Sequence, residues 1–148
     1  LQACKRPDGG FAESPAGTAG QTNPTAAAVG LMDLTGLLQR PIADGIAEFL
    51  LGMRRPDGGF AAHAAAPVSD LLSTFTALVS LRALDRLRQI RLSAAGRYVQ
   101  SLARPQGGFA GWTADGQPDA EFTYYGLGSL GLLAEAAGKA PQARTDTD

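Results

Sequence analysis

The sequence predicts an all-α protein built from tandem helical hairpins. Three observations lead there. The segment Arg55-Pro56-Asp57-Gly58-Gly59-Phe60-Ala61 is written three times, earlier at 6–12 and later, with Gln106 in place of the aspartate, at 104–110. Its phenylalanines stand at 11, 60 and 109, two intervals of 49 residues without slippage, which marks one structural unit copied in tandem. No stretch shows the strict period-two alternation of strands, so the runs between the signatures read as helices.

Residues 1–5 stand where the other copies have the last turn of a helix, and are expected to be the end of one. The signature itself is a turn: proline cannot continue a helix, and the glycine pair permits positive φ. The phenylalanine after it is expected to plug back between helices. Fourteen residues past each one stands a threonine (Thr25, Thr74, Thr123), and each opens an apolar run.

Residues 13–23 form a loop of small residues, and Asn23 followed by Pro24 reads as N-cap and first helical residue. That helix is expected to extend to about residue 38, with Val29, Leu31, Met32, Leu34 and Leu37 as its apolar positions. Pro41 marks the next turn, and a second helix covers about 42–53. After the loop 61–69, Asp70 is expected to cap a helix of about 71–85, and Ser93 one that ends near residue 102. The third loop carries Trp112, and Asp119 caps a helix of about 120–137. The repeats thus occupy 1–138, in units starting near 6, 55 and 104, while the polar tail 139–148 is expected to be disordered. The first helix of each pair is nearly apolar and rich in Ala and Gly. The second carries charges, Asp44 and Glu48 in one and Arg91 and Arg97 in the other, which fits two concentric layers.

Thirteen basic residues against fourteen acidic ones, with no basic block, argue against nucleic-acid binding through phosphate contacts. No apolar run reaches the roughly 18 residues of a membrane span. Cys4 is the single cysteine, so no internal disulfide forms. The compartment stays open on that ground, with a reducing, cytoplasmic one favoured.

A GGF turn, a loop and an Asp-x-x-x-Thr-aromatic helix start, as at Asp70–Phe75 and Asp119–Tyr124, resemble the prenyltransferase and squalene-cyclase repeat superfamily. The strongest likeness is to the β subunits of protein prenyltransferases, the Rab geranylgeranyl transferase type above all. They show a turn like RPDGGF, a loop histidine (His63 here) and a helix like DLLSTFTALVSL (70–81 here). The resemblance covers residues 1–138 and implies an α/α toroid, of which this chain would form about half a ring. It implies a protein that holds an isoprenoid diphosphate or similar lipid in a central apolar cavity and transfers the prenyl group. A terpene- or squalene-type cyclase and a non-catalytic toroid scaffold are the alternatives. A half ring is expected to close either by self-association or with a missing N-terminal half.

Zinc is the cofactor the resemblance implies, held by the Asp and Cys of a D-x-C at one inner helix start and by a His of another repeat. Here the Asp position holds Gln21, Asp70 and Asp119, and the Cys position Asn23, Leu72 and Glu121. The His position holds Pro24, Ser73 and Phe122. No copy offers the thiolate or the imidazole, so no metal ligand is assigned. The acidic cyclase motif D-x-D-D has no match, since Asp146 and Asp148 stand in the polar tail.

Asp119 and Glu121, with Tyr124 and Tyr125 just behind, form the most polar helix mouth and are the candidate catalytic acids. Helix capping explains the same pair. Phe75, Tyr124, Tyr125 and Trp112 are candidates to line a cavity for an isoprenoid, with aromatic faces suited to a carbocation, or else to fill the core. His63, among alanines, reads as a loop residue, and Cys4 as a small residue on a helix end. Arg82, Arg86, Arg88, Arg91 and Arg97 are the one basic concentration. They surround a helix–helix turn and are read as solvated, not as a diphosphate site.

Overall fold

The computed structural model describes residues 1–138; the tail expected to be disordered, 139–148, lies outside the described residues. Five α-helices follow in order: α1 (Thr22–Leu34), α2 (Ile42–Gly52), α3 (Leu71–Ala83), α4 (Leu92–Ser101) and α5 (Ala120–Gly138). Short 3-10 turns span Gln2–Cys4 and Leu87–Gln89. Among the described residues no strand forms, only isolated antiparallel bridges.

Those bridges show what the repeated signature does. Phe60 bridges Arg54 on one side and Asp70 on the other; Phe11 does the same between Lys5 and Gln21, and Phe109 between Ala103 and Asp119. The N–H of each phenylalanine donates to the hydroxyl of the threonine fourteen residues later: Phe11 to Thr25 at 2.8 Å, Phe60 to Thr74 at 3.0 Å and Phe109 to Thr123 at 3.2 Å. A buried N–H needs such a partner, and the constant spacing from phenylalanine to threonine supplies it. The arginine that opens each signature holds the loop that follows. Arg6 donates to the carbonyls of Ser14 and Pro15, Arg55 to those of His63, Ala64 and Ala66, and Arg104 to those of Trp112 and Asp115.

Glycine is required in the turn for a steric reason as well as for its φ of +97° at Gly58 and +91° at Gly9. A β-carbon on Gly58 would run into the carbonyl oxygen of Ala94 in α4, and one on Gly9 into that of Gly45 in α2. Gly107, at φ +98°, has nothing within 4 Å of that position.

The first helices of the repeats, α1, α3 and α5, stand side by side, with α2 and α4 as the second layer. Ile46, Phe49 and Leu50 of α2 share one core with Val29, Met32, Leu78, Leu81 and Phe60. Tyr98 and Val99 of α4, and Leu102 just after it, join Leu71 and Phe109 in another. All three signature phenylalanines are buried, as expected. Each such large apolar side chain contributes about 1.5–3 kcal/mol.

Neighbouring repeats are also stitched by hydrogen bonds. The Thr22 N–H donates to the Ala62 carbonyl at 2.8 Å and its hydroxyl to the Ala61 carbonyl at 2.6 Å. In register with it, the Leu71 N–H donates to the Gly111 carbonyl at 2.7 Å. This corrects the start of α1: the helix begins two residues early, with Gln21 as N-cap, because its first free N–H finds a partner in the next repeat. Asn23 and Pro24 lie inside the first turn, and the Asn23 amide oxygen accepts from the Thr76 hydroxyl.

Other boundaries shift for local reasons. Helix α1 stops at Leu34 because Gly36 takes φ +69° and the Leu37 N–H closes onto the Met32 carbonyl. Helix α3 stops at Ala83 in the same way, with Asp85 at φ +55° and the Arg86 N–H on the Leu81 carbonyl. Helix α4 starts from Arg91, which leaves Ser93 inside the helix and not at its cap. Residues 1–5 hold a 3-10 turn. Asp70 caps α3 as expected, accepting from the Ser73 N–H at 2.7 Å. No helix among the described residues is long and apolar enough to cross a membrane.

Candidate functional site

Phe75, Glu121, Tyr124 and Tyr125, singled out in the sequence, converge where α3 meets the start of α5. Position 75 in α3 and position 124 in α5 are register equivalents, and their rings meet edge to face at 5.4 Å between centroids. Phe75 also stacks on Tyr125 at 5.2 Å, and Tyr124 lies edge to face with Tyr125 at 5.7 Å. Gly128 makes this approach possible, since a β-carbon there would lie 2.7 Å from the Phe75 ring. A fourth ring, Phe122, meets Tyr125 at 6.2 Å. It was not among the sequence candidates, although its three-residue spacing from Tyr125 puts both on one helix face.

The cluster has a buried side and an open side. Tyr125 and Phe122 pack against the core of α4, whereas Tyr124 is 65% exposed. The Tyr125 hydroxyl donates to Glu121 Oε1 at 2.7 Å, one turn earlier on α5. That hydrogen bond to a carboxylate, with some burial added, pushes the phenol up to about 12, because ionisation would set two negative charges side by side.

Asp119 is used as a cap. Its Oδ1 accepts from the Phe122 N–H at 2.7 Å, matching what Asp70 does one repeat earlier. Trp112 sits apart in the third loop, 44% exposed, with its carbonyl facing Arg104. His63 is exposed in the second loop. Cys4 is a half-buried free thiol. The arginines are largely engaged: Arg82 pairs with Glu135 at 2.9 Å, Arg86 with Asp44 at 2.8 Å, and Arg88 donates to the Ala136 carbonyl.

The residues do not fit a zinc ion of the kind the resemblance implies. Among the described residues no three His, Cys, Asp or Glu side chains are gathered for a metal. Asp70 and Asp119 spend their carboxylates on helix starts, and Ser73, at the His position, is a buried hydroxyl. No step through zinc is derived from them.

A family model described as the prenyltransferase alpha-alpha toroid domain matches residues 1–147. The chain belongs to that family. The α1, α3 and α5 row and the α2 and α4 row are then the two layers of a prenyltransferase-type toroid. Among solved structures, the chain is similar to Candida albicans protein geranylgeranyltransferase-I complexed with GGPP, at 19% identity and a TM-score of 0.81. The match covers 92% of this chain and 42% of that one, so this toroid chain spans less than half the length of its structural neighbour. No curated protein matches the chain.

Proposed function

We propose that the inner-layer face around Phe75 and Tyr124 binds an isoprenoid chain, and that the completed toroid transfers the prenyl group. The observation that carries this reading is the open aromatic cluster on α3 and α5. Family membership and a fold shared with a structure holding GGPP support it.

Phe75 and Tyr124 offer ring faces to the chain, and Val79, exposed one turn past Phe75, extends the apolar strip. Glu121 fixes the Tyr125 ring through its hydrogen bond, and Asp119 sets the helix start that carries both tyrosines. In the transfer, the allylic carbon–oxygen bond breaks and diphosphate leaves. The carbon bonds to an acceptor atom that gives up its proton. Aromatic faces stabilise the positive charge that builds on the allylic carbon as the bond loosens. Trp112, from its separate loop, is proposed to cover the far end of the chain.

Calorimetric titration with geranylgeranyl diphosphate and with inorganic diphosphate tests the reading. Saturable binding of the prenyl compound that weakens at least tenfold in Tyr124→Ala, with little binding of inorganic diphosphate, supports it. The absence of saturable binding, or equal binding in Tyr124→Ala, overturns it.

A further inference from the structure

Helix α3 stands between α1 and α5. Its Leu71, Leu78 and Leu81 are fully buried, while Leu72 and Phe75 are half-buried and Val79 and Arg82 exposed. The last four follow at intervals of three, four and three residues, which sets them in one strip along the helix. The 49-residue register gives Phe75, Val79 and Arg82 counterparts on α1 and on α5, so the strip widens into a face built of tiers.

Phe75, Tyr124 and Ala26 form the first tier, with the two rings in contact. In the second, Val79 stands level with Gly30 and Gly128, so the one side chain of that tier has bare backbone on either hand. A β-carbon on Gly30 would meet nothing within 4 Å. The third tier is charged. Arg82 holds Glu135 of α5 at 2.9 Å, and Asp33 is its counterpart on α1. Seven residues separate Phe75 from Arg82, or about 10 Å of helix. At ~1.5 Å per carbon–carbon bond, a zigzag chain covers that distance with about two five-carbon units.

We infer that the Arg82–Glu135 pair sets the length of the chain this face accepts: a prenyl group of three five-carbon units, with no gain from a fourth. The inference rests on the reading of the aromatic cluster as the isoprenoid site. One unit lies at the rings of Phe75 and Tyr124, and two more run along Val79 between the glycines. A fourth unit would lie against the ion pair, whose side chains are 53% and 39% exposed, and would strip water from both charges. That desolvation offsets what the extra carbons gain by leaving water. Arg82 and Glu135 thus determine specificity without touching the reacting atoms.

Calorimetric titration of the full chain with geranyl, farnesyl and geranylgeranyl diphosphates tests this. On a strip without a stop, each added unit tightens binding by about tenfold or more. Here that gain should appear from the geranyl to the farnesyl compound and be absent from the farnesyl to the geranylgeranyl one. Arg82→Leu combined with Glu135→Leu removes both charges together, so neither is stranded, and an exposed pair adds little to folding. The double variant should bind farnesyl diphosphate as the wild type does and geranylgeranyl diphosphate about tenfold more tightly. A wild-type chain that gains tenfold from the fourth unit overturns the inference and leaves the isoprenoid reading intact. So does a double variant with wild-type affinities. A chain that binds none of the three saturably overturns that reading, and this inference with it.

Discussion

The backbone N–H of Phe60 lies 3.0 Å from the hydroxyl of Thr74, across the turn that joins one repeat's signature to the same repeat's first helix. That one contact is made three times at the same spacing, and it ties the aromatic plug to the helix it plugs. Both residues are fully buried, so the N–H has no water to fall back on. Thr74→Val keeps the shape and removes the acceptor. It is expected to lower unfolding free energy by about 1–3 kcal/mol in urea titrations. Thr123→Val should cost less, since its bond is longer, at 3.2 Å, and only partly buried.

The glycine turn separates two costs. Gly107→Ala meets only the positive φ, with open space around it, and should cost about 1–2 kcal/mol. Gly58→Ala meets the same φ and also the Ala94 carbonyl, so the turn and α4 must part. Its urea midpoint should fall clearly below that of Gly107→Ala. Equal midpoints would show that the close approach carries no weight.

Tyr125 offers a spectroscopic check on the site. Its phenol is raised to about 12, chiefly by the hydrogen bond to Glu121. Ultraviolet titration of tyrosinate should therefore show a late transition that Tyr125→Phe removes and Glu121→Gln moves down towards 10, with the Tyr98 phenol, raised further by burial, ionising later still. A phenol that is harder to ionise when folded stabilises the protein below pH 10. That contribution is lost as pH rises from about 10 to about 12. Alkaline unfolding of Glu121→Gln should be less steep through that window.

Arg55 reaches three carbonyls of the second loop through one terminal guanidinium nitrogen, which stands one bond further from the backbone than a lysine ammonium. Arg55→Lys should leave the helices intact and speed amide exchange at Ala66, whose N–H closes the loop onto the His63 carbonyl. Unchanged exchange there would mean that the loop holds itself.

The period, the buried phenylalanines and the Asp70 cap were legible in the sequence because local chemistry decides them. The start of α1 was not, because Thr22 is satisfied by Ala61 and Ala62 of the next repeat. Ser93 misled for a related reason: its residue type favours a cap, but the chain entering from the 3-10 turn at Leu87–Gln89 makes Arg91 the boundary. At the site, the register already aligned Phe75 with Tyr124, and the structure puts their rings in contact. Phe122 is not legible as part of the cluster, because its position in the register is the one where the resemblance implies a histidine. The separation of Trp112 from the ring cluster depends on how a long loop folds, which periodicity does not encode.

The backbone N–H stitching between repeats runs in one direction along the chain. Helix α1 is completed by carbonyls of residues 61 and 62, and α3 by that of residue 111. During synthesis α1 and α3 therefore leave the ribosome with their first turns unfinished, and wait about forty residues for the loops that finish them. The growing end is always the loosest part of the array, and each newly made loop locks the helix behind it.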